Sequence, residues 1–107
     1  MTDADHRQGD AQSQILTDAN AAFRVSARRN RLLAEWAADR MELTPEETAA
    51  YAKAVIQSDF EGDGDEDVIR KVLGDLIAAG CDVDQAAVRS ALEEKAVEAR
   101  RQLMGES

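Results

Sequence analysis

Between positions 59 and 67 the chain reads Asp59-Phe60-Glu61-Gly62-Asp63-Gly64-Asp65-Glu66-Asp67, an oxygen-rich run that could hold a hard divalent cation. Counted from Asp59, oxygen donors fall at loop positions 1, 3, 5, 7 and 9, and Gly64 falls at position 6. Position 12, where a calcium loop needs a bidentate Glu, is Arg70, and position 8 is Glu66 rather than an apolar residue. A guanidinium at the closing ligand position brings positive charge where the ion needs two oxygens. The stretch is therefore expected to be a loop leading into an acidic helix start, and no metal site is assigned.

The second concentration of chemistry is basic. Arg24, Arg28 and Arg31 stand at i, i+4 and i+7, one face of a helix, with Arg29 beside them. Guanidinium groups chelate phosphate or carboxylate in a bidentate way. Such a face could hold an anionic ligand such as a nucleotide phosphate, or pair with the acidic 59–67 run across the fold. The sequence leaves both open. Trp36, about two turns beyond Arg29, is expected in the core, with stacking on an adenine as the alternative. Arg24, Arg28, Arg29, Arg31 and Trp36 are thus the candidate nucleotide-binding set.

Little else is reactive. His6 is the one histidine and Cys81 the one cysteine, too few ligands for zinc and no nearby base to activate a thiol. Neither a phosphate-binding G-x-x-x-x-G-K-[ST] loop nor a G-x-G-x-x-G turn is present. Catalysis is not expected, and no cofactor is required.

The elements that position these residues read as helices. Residues 1–16 are polar and aperiodic, which predicts a flexible N-terminal arm. A long helix is expected from Ile15 or Thr17, capped by Thr17 or Asp18, to about Met41, with Leu16, Ala19, Phe23, Ala27, Leu33, Trp36 and Ala37 on its apolar stripe. Thr44-Pro45-Glu46-Glu47 spells a capping box with proline at the first helical position. The second helix then runs to about Phe60 and buries Ala52, Val55, Ile56 and Phe60. Asp65, Glu66 and Asp67 begin a third helix where the dipole favours negative charge. Its Ile69, Val72, Leu73, Leu76 and Ile77 follow the spacing of a buried face, and Gly80 ends it. Asp82, with Asp84 competing, caps a fourth helix to about Met104, with Val88, Leu92, Ala96, Ala99 and Leu103 as its stripe. No period-two run suggests a strand. The fold class is all-α, a compact four-helix bundle over residues 17–107.

Composition agrees with that size and class. The 107 residues, 44% hydrophobic, allow one modest core, and four aromatics leave it to be built from aliphatic side chains and alanine. Thirteen basic against 22 acidic residues give a net charge of −9, which disfavours nucleic acid and anionic membrane as partners. No apolar run reaches the roughly 20 residues of a membrane span, and the polar N-terminus is no signal peptide. A cytoplasmic protein is expected.

A string of motifs then carries a resemblance. Ala27-Arg28-Arg29-Asn30-Arg31-Leu32-Leu33, Trp36-Ala37-Ala38, Tyr51-Ala52-Lys53-Ala54-Val55, Asp59-Phe60-Glu61 and Gly64-Asp65-Glu66-Asp67-Val68 with Arg70-Lys71 occur in this order. The chain resembles the zeta subunits of α-proteobacterial F-type ATP synthases, closely over residues 23–80 and more loosely in the last helix. The resemblance implies a non-enzymatic regulator that binds the catalytic head, inhibits ATP hydrolysis, and associates with ADP or ATP. It further implies an N-terminal segment that becomes helical in a catalytic interface, and a place at the inner-membrane periphery when bound. Asp5, Arg7, Ile15 and Leu16 are the inhibitory-arm residues so implied. Ala4, Ala11 and Ile15 depart from the family, standing where aromatics are usual, and Gly9 weakens helix propensity by about 1 kcal/mol relative to Ala. The alternative reading is a nucleotide-sensing or protein-docking helical module with little inhibitory activity.

Overall fold

The computed structural model describes the backbone of residues 2–61 and 64–104 and the side chains of residues 20–59 and 64–104. Four helices account for nearly all of it: α1 (Thr2–Met41), α2 (Pro45–Glu61), α3 (Asp65–Ala78) and α4 (Gln85–Leu103). The expected all-α class holds. The first helix starts earlier than its capping signals suggest, so Thr17 and Asp18 lie inside it rather than at its end. Adding a residue to an existing helix costs far less than nucleating one, and no proline interrupts the upstream segment. The arm residues Asp5, Arg7, Ile15 and Leu16, with Ala19, Phe60 and residues 62–63, lie outside the described side chains.

The helices pack in ring order. α1 lies against α2 and α4, α3 bridges α2 and α4, and a further contact of α1 with α3 closes the middle. The core is aliphatic and small. Leu33, Ala34 and Ala37 of α1 cluster with Ala52 and Val55 of α2, all nearly or wholly excluded from water, and Ala38 is buried as well. Val68, Ile69, Val72 and Leu76 of α3 and Val88, Ala91 and Leu92 of α4 complete it. Fully burying each of the larger side chains contributes roughly 1.5–3 kcal/mol. Trp36, Tyr51 and Leu73 are half-buried against this cluster.

Three stripe residues are exposed, and Ala27, Ile56 and Ala96 are only partly buried. Phe23 is 56% exposed, Ile77 57% and Leu103 37%. Ile77 sits one residue before the last of α3, about 100° around the axis from the buried Leu76, so it turns away from the ring. Phe23 and Leu103 lie at the end of the bundle where α4 stops and α1 continues.

The helix ends are closed by local bonds. Thr44 Oγ1 accepts from Glu47 N–H at 3.1 Å and Glu47 Oε1 accepts from Thr44 N–H at 2.8 Å, the reciprocal box the sequence spells. Gly80, at φ 87°, ends α3 in a Schellman turn: Cys81 N–H donates to Leu76 O and Gly80 N–H to Ile77 O, both 2.9 Å. Asp84, not Asp82, caps α4, its Oδ1 accepting from Ala87 N–H at 2.9 Å. Only Asp84 stands immediately before the first helical residue, where a side chain reaches the N3 amide.

Polar clamps also join neighbouring helices. Arg89 of α4 grips Glu66 of α3 with both Nη atoms, at 2.9 and 3.0 Å, which holds the Glu66 carboxyl below its ordinary range and the guanidinium above its own. Tyr51 of α2 donates its hydroxyl to Asp75 Oδ2 of α3 at 2.8 Å, and Lys71 reaches the same oxygen at 3.2 Å. Burial, reinforced by the adjacent carboxylate, pushes the Tyr51 phenol well above its usual value.

α1 also ends in a Schellman turn, with Leu43 N–H donating to Ala38 O at 3.0 Å and Glu42 N–H to Asp39 O at 3.2 Å. The left-handed position is here occupied by Glu42, at φ 60°. A side chain bearing Cβ is strained there by about 1 kcal/mol. Glu42→Gly is accordingly expected to raise the unfolding free energy by about 1 kcal/mol, read as a higher urea midpoint with unchanged slope.

Candidate functional site

The α1 segment from Arg24 to Arg31 is where the basic residues meet the bundle. No glycine or proline interrupts it, so helical spacing alone sets which way each arginine points. Arg24, Arg28 and Arg31 line one cleft of about 250 Å³ together with Ala27, Ile56 of α2 and Leu103 of α4. Arg28 Nη1 donates to Gln102 Oε1 of α4 at 2.8 Å. Arg31 pairs with Glu35 one turn on, at 3.3 Å, both side chains about half exposed. Ion pairs of that kind contribute little. Arg24 and Arg28 have no carboxylate partner among the described residues. The cleft therefore presents guanidinium donors over an apolar floor.

Arg29 and Trp36 are placed elsewhere. Arg29 is turned onto the start of α3 and the end of α2, with its side chain 11% exposed. Its Nη1 lies 3.0 Å from Asp65 and its Nη2 3.7 Å from Asp59, while Nε donates to Asn30 Oδ1 at 2.9 Å. This is the pairing with the acidic run that the sequence left open, realised by one arginine. Trp36 packs against the core, and the Arg40 guanidinium stands 4.1 Å from its ring centroid. Of the five nucleotide-binding candidates, three share a cleft and two do not. Arg70, at the closing position of the calcium-like loop, pairs with Asp67 at 2.6 Å and so opposes one of the would-be ligands.

Asn30 is the residue sequence reasoning missed. It is 1% exposed and its Nδ2 has no hydrogen-bond partner among the described residues, an uncommon situation for a buried amide. Position 30 lies three before Leu33 and seven before Ala37, on the seam that faces the core, so its spacing was the available signal. Asn30 orients the Arg29 guanidinium from within the helix, and Arg29 in turn ties the α2–α3 connection to α1.

The family described as ATPase inhibitor subunit zeta matches residues 1–102. The chain belongs to that family. It is an inhibitor subunit, not a catalytic one, and the activity it restrains is ATP hydrolysis by the F-type ATP synthase. The match reaches beyond residues 23–80 to include both the N-terminal segment and most of α4. A chain whose structure was solved by NMR in solution is 42% identical and superposes with a TM-score of 0.68, over 79% of this chain and 96% of that one. None of the curated proteins matches. Among the described residues no helix is long and apolar enough to cross a membrane.

For this zeta-family chain, Arg29 is expected to be a stability residue. Arg29→Ala should lower the unfolding free energy by about 2 kcal/mol, below the usual loss for a broken buried pair because Asp65 is 58% exposed. Arg29→Lys should recover only part of it, since an ammonium lacks the planar fork that serves three acceptors at once. Urea denaturation of the three proteins checks both.

Proposed function

We propose that the chain inhibits hydrolysis by inserting residues 1–16 into the catalytic head of the ATP synthase while the bundle from residue 17 onward holds it in place. The observation that carries this reading is the length of α1. Forty residues at 1.5 Å each span about 60 Å, whereas the 19 residues of α4, the longest neighbour, span about 28 Å. Roughly half of α1 thus outruns any helix of its own bundle, and a helix so placed is suited to packing against another protein. Asp5, Arg7, Ile15 and Leu16 supply the mixed charged and apolar character such a contact needs. The site of action is the cytoplasmic head of the membrane-bound synthase. ATP hydrolysis by the isolated head, measured with the full chain and with a chain starting at Thr17, tests the arm. Dose-dependent inhibition by the first and at least a tenfold loss of potency in the second is the expected outcome, since large apolar anchors dominate such contacts. Equal inhibition by both proteins would remove the arm from the mechanism.

A second reading is favoured by the cleft of Arg24, Arg28 and Arg31: an adenine nucleotide, ADP or ATP, binds there as a regulatory ligand. The guanidinium groups would take the phosphates, and Ile56 and Leu103 the flat face of the base. Arg29 and Trp36 stand outside this version of the site. Titration with ADP, followed by amide and guanidinium NMR shifts, is expected to move Arg24, Arg28 and Arg31 and to leave the Trp36 indole unmoved. Shifts that avoid α1 would rule the cleft out.

A further inference from the structure

In a chain of net charge −9, Arg24, Arg28, Arg100 and Arg101 have no acidic partner among the described residues. Arg24 and Arg28 line a cleft with Leu103 at one end of the bundle, where Arg28 also bonds Gln102 of α4, and Arg100 and Arg101 lie in the last turn of that helix. There Arg100 and Met104 line a cleft of about 380 Å³ with Ala21, Ala22, Val25 and Ser26 of α1. The same end carries Phe23, 56% exposed, Leu103, 37%, and Met104, 64%. Exposed aromatic and methionine side chains rimmed by arginine have the composition of a protein interface rather than of a solvated surface.

We infer that this end of the bundle, around Met104 and the arginines of α4, is a docking surface for an acidic, apolar-pocketed surface of the catalytic head. The inference rests on the arm reading above. From Leu16 to Phe23 a continuous α1 advances only about 10 Å, so whatever receives residues 1–16 must also lie over this end. The opposite charge of the patch and of the rest of the bundle then selects the orientation: an acidic partner is attracted here and repelled elsewhere.

The test uses the full chain and the isolated catalytic head. Affinity is measured by biolayer interferometry at low and high salt, beside inhibition of hydrolysis. Arg100→Glu/Arg101→Glu and, separately, Met104→Ser are each expected to weaken binding about tenfold, with the charge reversal losing most of the salt dependence. Maximal inhibition at saturation should stay at the wild-type level, because residues 1–16 are untouched. Lys53→Glu, on the surface between α1 and α2, should bind like wild type. Circular dichroism melts confirm that the variants are folded. Wild-type affinity in both patch variants overturns the docking surface, as does a wild-type chain that binds anionic vesicles but not the head. Ile15→Asp/Leu16→Asp separates the two readings: it is expected to lower maximal inhibition. If it leaves inhibition intact, the arm reading fails, and the docking surface is then decided by the affinities alone.

Discussion

Ala34, Ala37 and Ala38 present α1 to its neighbours with side chains no larger than a methyl group, and all three are essentially sealed from water. Each contributes little apolar area of its own. What it permits is close approach of helix axes, so that Val55, Val72, Leu76 and Val88 reach across and fill the space. Alanine also loses no side-chain entropy on burial, which matters in a core with so few aromatics. One helix can therefore serve as a wall for the other three, and the ring order follows from that. A larger residue at any of these positions would push a neighbour outward and loosen contacts on the far side of the ring.

What could be read from the sequence was what local chemistry settles. The Thr44–Glu47 box, the proline after it and the glycine at position 80 act within a few residues, and each does in the structure what its type dictates. Signals that depend on where a neighbour ends were misleading. Periodicity marks Phe23 and Leu103 as apolar-face residues but carries no information about whether another helix extends far enough to cover them. The left-handed Glu42 was invisible for a similar reason, since its conformation is imposed by the turn into α2 and not by its own preference.

The candidate site shows the same division. The i, i+4, i+7 spacing of Arg24, Arg28 and Arg31 is a property of one helix, and they do share a cleft. Whether Arg29 faced a ligand or the acidic run depended on how α2 and α3 return to α1, and Asn30 escaped notice because a polar residue on a core seam breaks the binary pattern. The family resemblance fared better than any single motif because several ordered motifs constrain one another.

Because α1 is one unbroken helix from Thr2 to Met41, the segment ahead of the bundle and the bundle itself share a screw axis. Their relative azimuth is fixed by the number of residues between them. One residue inserted or removed between Leu16 and Arg24 would turn everything upstream by about 100° and shift it by about 1.5 Å, with no change in composition or charge. The chain is phase-locked: the count of residues between the two segments, and not their composition, sets how their faces are turned relative to one another.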